Sequence, residues 1–250
     1  MPQSELYIDR IFMHEPIEPD SYLNGIPALR WLGENGELRL DSRVTIFVGE
    51  NGSGKSTLLE AIAIAFGFNP EGGTLNFRFS TEDSHADLWR HIRLSKRRRP
   101  HDGFFLRAES FYNMATYIDR IDSEPSFGPP VIAGFGGVSL HRQSHGESFL
   151  AAVRNRFSGR GLYLLDEPEA ALSPSRLLTL LVEFDRLQKA DSQLILCTHS
   201  PLLMAFPGAA VYELSERGIE RVDYRDTEHY IVTRRFLEDP ERMLNYLLHD

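Results

Sequence analysis

Val44-Thr45-Ile46-Phe47-Val48-Gly49-Glu50-Asn51-Gly52-Ser53-Gly54-Lys55-Ser56 is the stretch on which the reading of this chain turns. Its first five residues are β-branched or aromatic and carry no charge, as expected of a strand buried on both faces in a parallel sheet. The next eight, Gly49 to Ser56, satisfy G-x-x-x-x-G-K-[ST] at every fixed position. The glycines let such a loop fold tightly, with backbone N–H groups pointing inward at phosphate oxygens. Asn51, Gly52, Ser53 and Gly54 would form the cradle. Lys55 would neutralise the β- and γ-phosphates of a nucleotide, and the Ser56 hydroxyl would be a Mg2+ ligand. Thr57 joins the same binding set. It belongs to a helical run, Ser56 to Phe66, whose positive end faces the same anion. A glycine-rich turn with a chance lysine is the competing reading. The strand before it and the helix after it argue against that.

Downstream, Leu162-Tyr163-Leu164-Leu165-Asp166-Glu167 is an apolar strand tipped by two acids. The C-terminal tips of strands in an α/β sheet border the crevice where ligands bind. Asp166 would hold Mg2+, directly or through water, and Glu167 would position and activate an attacking water. Taken alone, the pair reads equally well as the acidic first turn of a helix. A third strand, Gln193 to Thr198, leads into Thr198-His199-Ser200-Pro201. If the three strands are neighbours, His199 could reach a γ-phosphate as donor or switch.

Around these strands the chain alternates strand and helix signals. Leu6 to Phe12 is mostly apolar, and the opening third otherwise reads as short strands and turns. The middle, from about Asn69 to Gly137, is less regular, with a strand at Gly103 to Arg107 and a Pro- and Gly-rich loop from Asp122. Helices are expected from near Gly146 to Phe157 and from Ser175 to Gln188. Val211 to Val222 reads as a hairpin around Glu216-Arg217-Gly218, and the tail after Thr227 as helix interrupted at Pro240. The tail beyond Val222 yields no chemistry of its own. The pattern makes an α/β fold with a largely parallel central sheet.

Composition narrows the class. At 250 residues, 42% hydrophobic and 25% charged, the chain resembles an ordinary soluble globular protein with one generous core. A formal charge of -9 argues against a surface that clings everywhere to nucleic acid. The lone Cys197 excludes an internal disulfide. The first five residues show no secretory pattern and no stretch approaches the ~20 apolar residues of a membrane span. Both point to a cytoplasmic protein without direct membrane insertion.

Gln143-Ser144-His145-Gly146-Glu147-Ser148 supplies a further piece. It looks like the L-S-G-G-Q signature of the ABC ATPases and lies between the phosphate loop and the Asp166-Glu167 strand, in that family's order. The resemblance covers nearly the whole chain. It implies a P-loop NTPase fold of ABC type, with an antiparallel N-terminal β part and a small helical signature lobe. Residues 1–250 would form a single ATPase domain, with about 70–157 inserted between the Walker A and Walker B parts. It implies ATP hydrolysis with ATP and Mg2+. It also implies an ATP-dependent homodimer in which Ser144 and Gly146 contact the γ-phosphate held by the other copy.

Departures from the family pattern are His145 and Glu147 in the signature, Ser173 where transporters carry Asp, and no clear Mg2+-sensing glutamine, for which Glu109 is the substitute expected as a metal ligand. Arg107-Ala108-Glu109-Ser110-Phe111 and Thr227-Glu228-His229-Tyr230 are similar to segments of small stand-alone bacterial AAA-family ATPases near the RecF and SMC-like heads. That branch implies a switch in DNA maintenance or anti-foreign-DNA defence, acting on DNA or a DNA-processing protein. The nucleotide-binding subunit of a membrane transporter is the alternative. The run from Arg90 to Arg99 could meet nucleic-acid phosphates or be a solvated face balancing an acidic protein. Tyr22 and Trp31 are candidates to stack on adenine.

Overall fold

The computed structural model describes residues 6–75, 87–124 and 128–249. Residues 1–5, read above for a leader, and parts of the irregular middle lie outside them. In chain order the strands are β1 (Ile8–Met13), β2 (Glu37–Arg39), β3 (Val44–Val48), β4 (Gly73–Thr74), β5 (Ile92–Lys96), β6 (Asp102–Arg107), β7 (Gly161–Asp166), β8 (Gln193–Cys197), β9 (Ala210–Ser215) and β10 (Gly218–Val222). The helices are α1 (Pro27–Asn35), α2 (Lys55–Phe66), α3 (Leu88–His91), α4 (Phe111–Ser123), α5 (His145–Arg156), α6 (Pro174–Lys189), α7 (Pro201–Met204), α8 (Glu228–Glu238) and α9 (Pro240–His249).

Among the described residues, a seven-stranded sheet runs in the order β10-β9-β3-β8-β7-β6-β4. Its inner pairs are parallel, and only the edge strands β10 and β4 run antiparallel to their neighbours. The uninterrupted apolar runs arise because both faces are covered. Val44, Ile46, Val48, Tyr163, Leu165, Leu194 and Leu196 face the core shared with α4, α5 and α6. Phe47, Leu162, Leu164, Ile195 and Cys197 alternate onto the other face, against α1, α2 and the smaller sheet.

That smaller sheet, β2-β1-β5, is antiparallel. Three of these elements, α1, β5 and α4, differ from the sequence reading. The opening third holds the helix α1, whose apolar residues Ala28, Leu29 and Leu32 are buried. The middle of the basic run forms the strand β5 rather than a loop, because pairing with β1 satisfies its backbone while Ile92 turns into the core. The irregular middle likewise contains α4, which buries Phe111, Met114, Ala115 and Ile118 on one face. No helix among the described residues is long and apolar enough to cross a membrane.

Sheet register places the candidate residues. Arg107 pairs with Asp166, Asp166 with Cys197, and Cys197 with Phe47, so the C-terminal tips of β6, β7, β8 and β3 end side by side. The loop after β3, the acids after β7 and the histidine after β8 all emerge at this edge.

Candidate active site

The phosphate loop turns back on itself from β3 into α2. Gly49 has φ 141° and Gly54 has φ 98°, backbone that L side chains rarely adopt. A Cβ at Gly49 would also strike the Leu214 carbonyl of β9. The Lys55 ammonium donates to the Gly49 and Glu50 carbonyls, each at 2.8 Å. Burial lowers the pKa of Lys55 from its ordinary value, while the nearby carboxylates Glu167, Asp166 and Glu169 oppose the shift. Among the described residues Ser53 Oγ is buried without a partner, an open polar valence inside the loop that a phosphate oxygen would satisfy. Asn51 and Gly52 are exposed at the loop's tip, and Ser56 and Thr57 lie in the first turn of α2.

Ser56 Oγ donates to Asp166 Oδ1 at 2.9 Å, bringing two hard oxygen ligands together at the floor of the cleft. Burial pushes the Asp166 carboxyl up to about 6, against the opposing pull of Arg107 and Ser56. A buried carboxylate whose ionisation is this costly, beside a hydroxyl, suits a small divalent cation such as Mg2+.

The Asp166 contact that sequence reasoning missed is Arg107. Its Nε lies 3.5 Å from Asp166 Oδ2, and its Nη1 donates to Glu60 at 2.7 Å. Glu109 sits beyond the end of β6 with its side chain 88% exposed, and its carboxylate is 4.0 Å from Arg107 Nη2. Arg107 touches Asp166 directly, and Glu109 reaches only the far side of that guanidinium. Only the in-register pairing of β6 with β7 makes that visible.

Glu167 adopts left-handed backbone, φ 47° and ψ 53°. This conformation costs a non-glycine residue about 1–3 kcal/mol, and such outliers gather at functional sites. Its N–H donates to the Cys197 carbonyl at 3.1 Å, locking the bend. Glu167 Oε1 lies 3.4 Å from His199 Nε2. The His199 N–H in turn donates to the Glu169 carboxylate, whose pKa burial raises. A second histidine completes the group: His229 Nε2 is 2.9 Å from His199 Nδ1. Glu50, Asn51, Glu167, His199, Glu228 and His229 line one cavity of about 700 Å³.

Ser144 and Gly146 stand apart from this cleft, at the N-terminus of α5. Ser144 is exposed and caps the helix reciprocally with Glu147, whose Oε2 accepts from Ser144 N at 3.0 Å and Ser144 Oγ at 2.7 Å. Arg176 donates to Ser144 Oγ at 3.1 Å and pairs with Glu147 at 3.1 Å. A Cβ at Gly146 would press on the Ala171 carbonyl at 3.0 Å and displace the end of the Arg176 side chain. The signature's departure at Glu147 is thus built into a local ion-pair network.

Residues 23–100 match an AAA domain model, and residues 141–205 match a second AAA domain model, whose description names the AbiEii toxin and type IV toxin–antitoxin system. The first span holds the phosphate loop. The second holds Ser144, Asp166, Glu167 and His199. The chain is a P-loop ATPase with two AAA-domain stretches and a fold of ABC type. Solved structures agree in fold. The protein cbiO1 from Clostridium perfringens, part of the ABC transporter complex cbiONQ, has a TM-score of 0.52 at 14% identity, over 98% of this chain and 100% of that one. MJ1267, an ATP-binding cassette of an ABC transporter, has 0.51 at 14% identity, over 97% and 99%. A metal-chelate type ABC transporter in an inward-facing conformation has 0.50 at 15% identity, over 91% and 88%. No curated protein matches the chain.

Trp31 packs onto the β9–β10 hairpin, where a Cβ at Gly218 would run into its ring, while Tyr22 is 66% exposed. The cations of the basic run are largely engaged by their own chain. Arg97 binds Asp9 at 2.6 Å, and Arg98 binds Asp191 and stacks on Tyr7. Lys96 donates to the Ala65 and Phe66 carbonyls at the end of α2.

Proposed function

We propose that two copies of this ATPase, each working as one unit over residues 1–250, close head to tail around two Mg·ATP. That closure would switch a cytoplasmic partner in DNA maintenance or defence against foreign DNA. The observation that carries the reading is the separation of Ser144 and Gly146 from their own chain's cleft: neither is among the described residues lining the cavities beside the phosphate loop. A nucleotide would then need the signature turn of a second copy, an isologous pairing. The match of residues 141–205 to a model named for a toxin–antitoxin system supports a defence role. Because Arg97 and Arg98 are paired internally, the reading assigns contact with DNA mainly to the partner.

Within each cleft, Lys55 and the loop N–H groups hold the phosphates. Ser56 and Asp166 would hold Mg2+, which when bound supplies charge neutralisation on the transferring phosphoryl group. Glu167 orients the attacking water and takes its proton, and His199 donates toward the γ-phosphate.

The test is Glu167→Gln, which keeps the site's shape and removes the base. Light scattering should show a dimer only with Mg·ATP, and turnover should nearly stop. Parental turnover, or a monomer with ATP bound, would refute the reading. Capture of the trapped form from its own cells should recover DNA or a DNA-processing protein. An integral membrane partner without nucleic acid would replace this role with that of a transporter subunit.

A further inference from the structure

The proposed catalytic set ends at His199, yet the structure continues one residue further. His229 lies in the first turn of α8, within the Thr227-Glu228-His229-Tyr230 segment and outside the phosphate loop, the two-acid strand and the signature turn. Thr227 anchors that turn: it is fully buried, its Oγ1 donates to the Tyr224 carbonyl at 2.7 Å and accepts from Tyr230 N at 3.4 Å. The rest of α8 and α9 is half-buried or exposed. The best-anchored part of the C-terminal segment is therefore the part that presents His229.

The geometry decides which nitrogen carries each proton. His199 Nε2 faces the Glu167 carboxylate at 3.4 Å. A carboxylate only accepts, so a lone pair on Nε2 would be repelled and Nε2 carries the hydrogen. In a neutral imidazole Nδ1 is then an acceptor. The atom 2.9 Å from it, His229 Nε2, must be the donor. Burial lowers the pKa of both rings from the ordinary value, with Lys55 adding to the effect on each and Glu167 opposing it at His199. Both therefore stay neutral near pH 7. Among the described residues His199 Nε2 is buried and makes no hydrogen bond, the Glu167 carboxylate standing off at 3.4 Å, which leaves its N–H available to the cleft.

We infer that His229 is a positioning residue: its Nε2–H holds His199 in one tautomer and orientation, so that the His199 Nε2–H stays aimed into the nucleotide cleft. This rests on the role proposed for His199. It also assigns a task to the start of α8, which ties the C-terminal helices to the state of the cleft. The opposite tautomer would turn His199 Nε2 into an acceptor facing an acid and an incoming phosphate, a geometry in which it could not donate. Partners that orient metal-ligating histidines typically matter by about 10–100-fold in activity, and the same order is expected where the oriented N–H faces a phosphate.

The test compares His229→Leu with His229→Gln, whose amide N–H can replace the Nε2 donor. The Leu variant should lose kcat by about tenfold or more, while KM for ATP and Tm stay near parental, and the Gln variant should recover most of the loss. Combining His199→Ala with His229→Leu should be no slower than His199→Ala alone. Nitrogen-15 NMR of labelled histidines gives a readout independent of turnover: His199 should be protonated at Nε2 in the parent and lose that single state in the Leu variant. A Leu variant with parental kcat, a Gln variant no better than Leu, or a parental His199 protonated at Nδ1 would overturn the inference. If His199→Ala itself hydrolyses ATP at the parental rate, the underlying reading of His199 fails instead, and this inference with it.

Discussion

Replacing Asp166 by Asn should stabilise the nucleotide-free protein and abolish its response to Mg·ATP. The Asp166 side chain is 8% exposed, and burial pushes its carboxyl up to about 6 from an ordinary 3.8. At about 1.36 kcal/mol per pH unit, keeping this group ionised at neutral pH costs the fold about 3 kcal/mol. The raised value sets the sign. Below about pH 4 the carboxyl is protonated whether folded or not, and no penalty exists. The penalty grows as pH rises from about 4 to 6 and is complete above that. Asparagine keeps the shape and a contact for Ser56 but gives up the charge facing Arg107, which retains Glu60 at 2.7 Å. The net gain should therefore be about 1–3 kcal/mol at neutral pH, or roughly 2–12 °C in Tm for a chain of this size. Thermal unfolding in EDTA, scanned across pH, reads this directly. The variant's advantage should open between about pH 4 and 6 and level off above. Mg·ATP at about 100 times its Kd should add roughly 2.7 kcal/mol to the parent and far less to the variant. An advantage that does not change with pH, or a variant that melts below the parent at neutral pH, would refute the reasoning.

Three other outcomes follow from the same geometry. Lys55→Ala removes the ammonium held over the Gly49 and Glu50 carbonyls, so titration calorimetry should show loss of tight Mg·ATP binding; unchanged affinity would remove Lys55 from the site. Ser144→Arg places a bulky cation at the exposed head of α5, and light scattering should show no ATP-driven pairing while each monomer still binds nucleotide. Arg98→Ala strips Asp191 of two hydrogen bonds, so Tm should fall by roughly 2–8 °C, for about 1–2 kcal/mol lost. Arg98 holds the Asp191 carboxyl well below its usual range. That loss should be full above the ordinary carboxylate pKa and fade as pH falls below it, and DNA affinity should not change.

Much of the site was legible before folding because its pieces are local patterns. Val44 to Ser56 declares a buried strand, a phosphate loop and a helix start within thirteen consecutive positions. Asp166 and Glu167, and then His199, are marked by the same contrast of an apolar strand with a polar tip, which sheet geometry turns into a shared edge. The helices α1 and α4 and the strand β5 were less legible. β5 alternates the apolar Ile92 and Leu94 with Arg93, Ser95 and Lys96 over only five residues inside a basic run, and its state is settled by pairing with β1 rather than by its own propensity.

Contacts between distant segments belong to the tertiary structure. Arg107 reaches Glu60 across 47 positions, Arg98 reaches Asp191 across 93, and His229 meets His199 across 30. No periodicity encodes such pairs. A charged or imidazole side chain finds its partner only where strand register and helix docking bring it, and burial then makes that partner matter. The amino-acid pattern therefore announced an ATPase and most of its motif residues. It took the fold to put Arg107 rather than Glu109 against Asp166, to neutralise the basic run from within, and to set a second histidine behind the first.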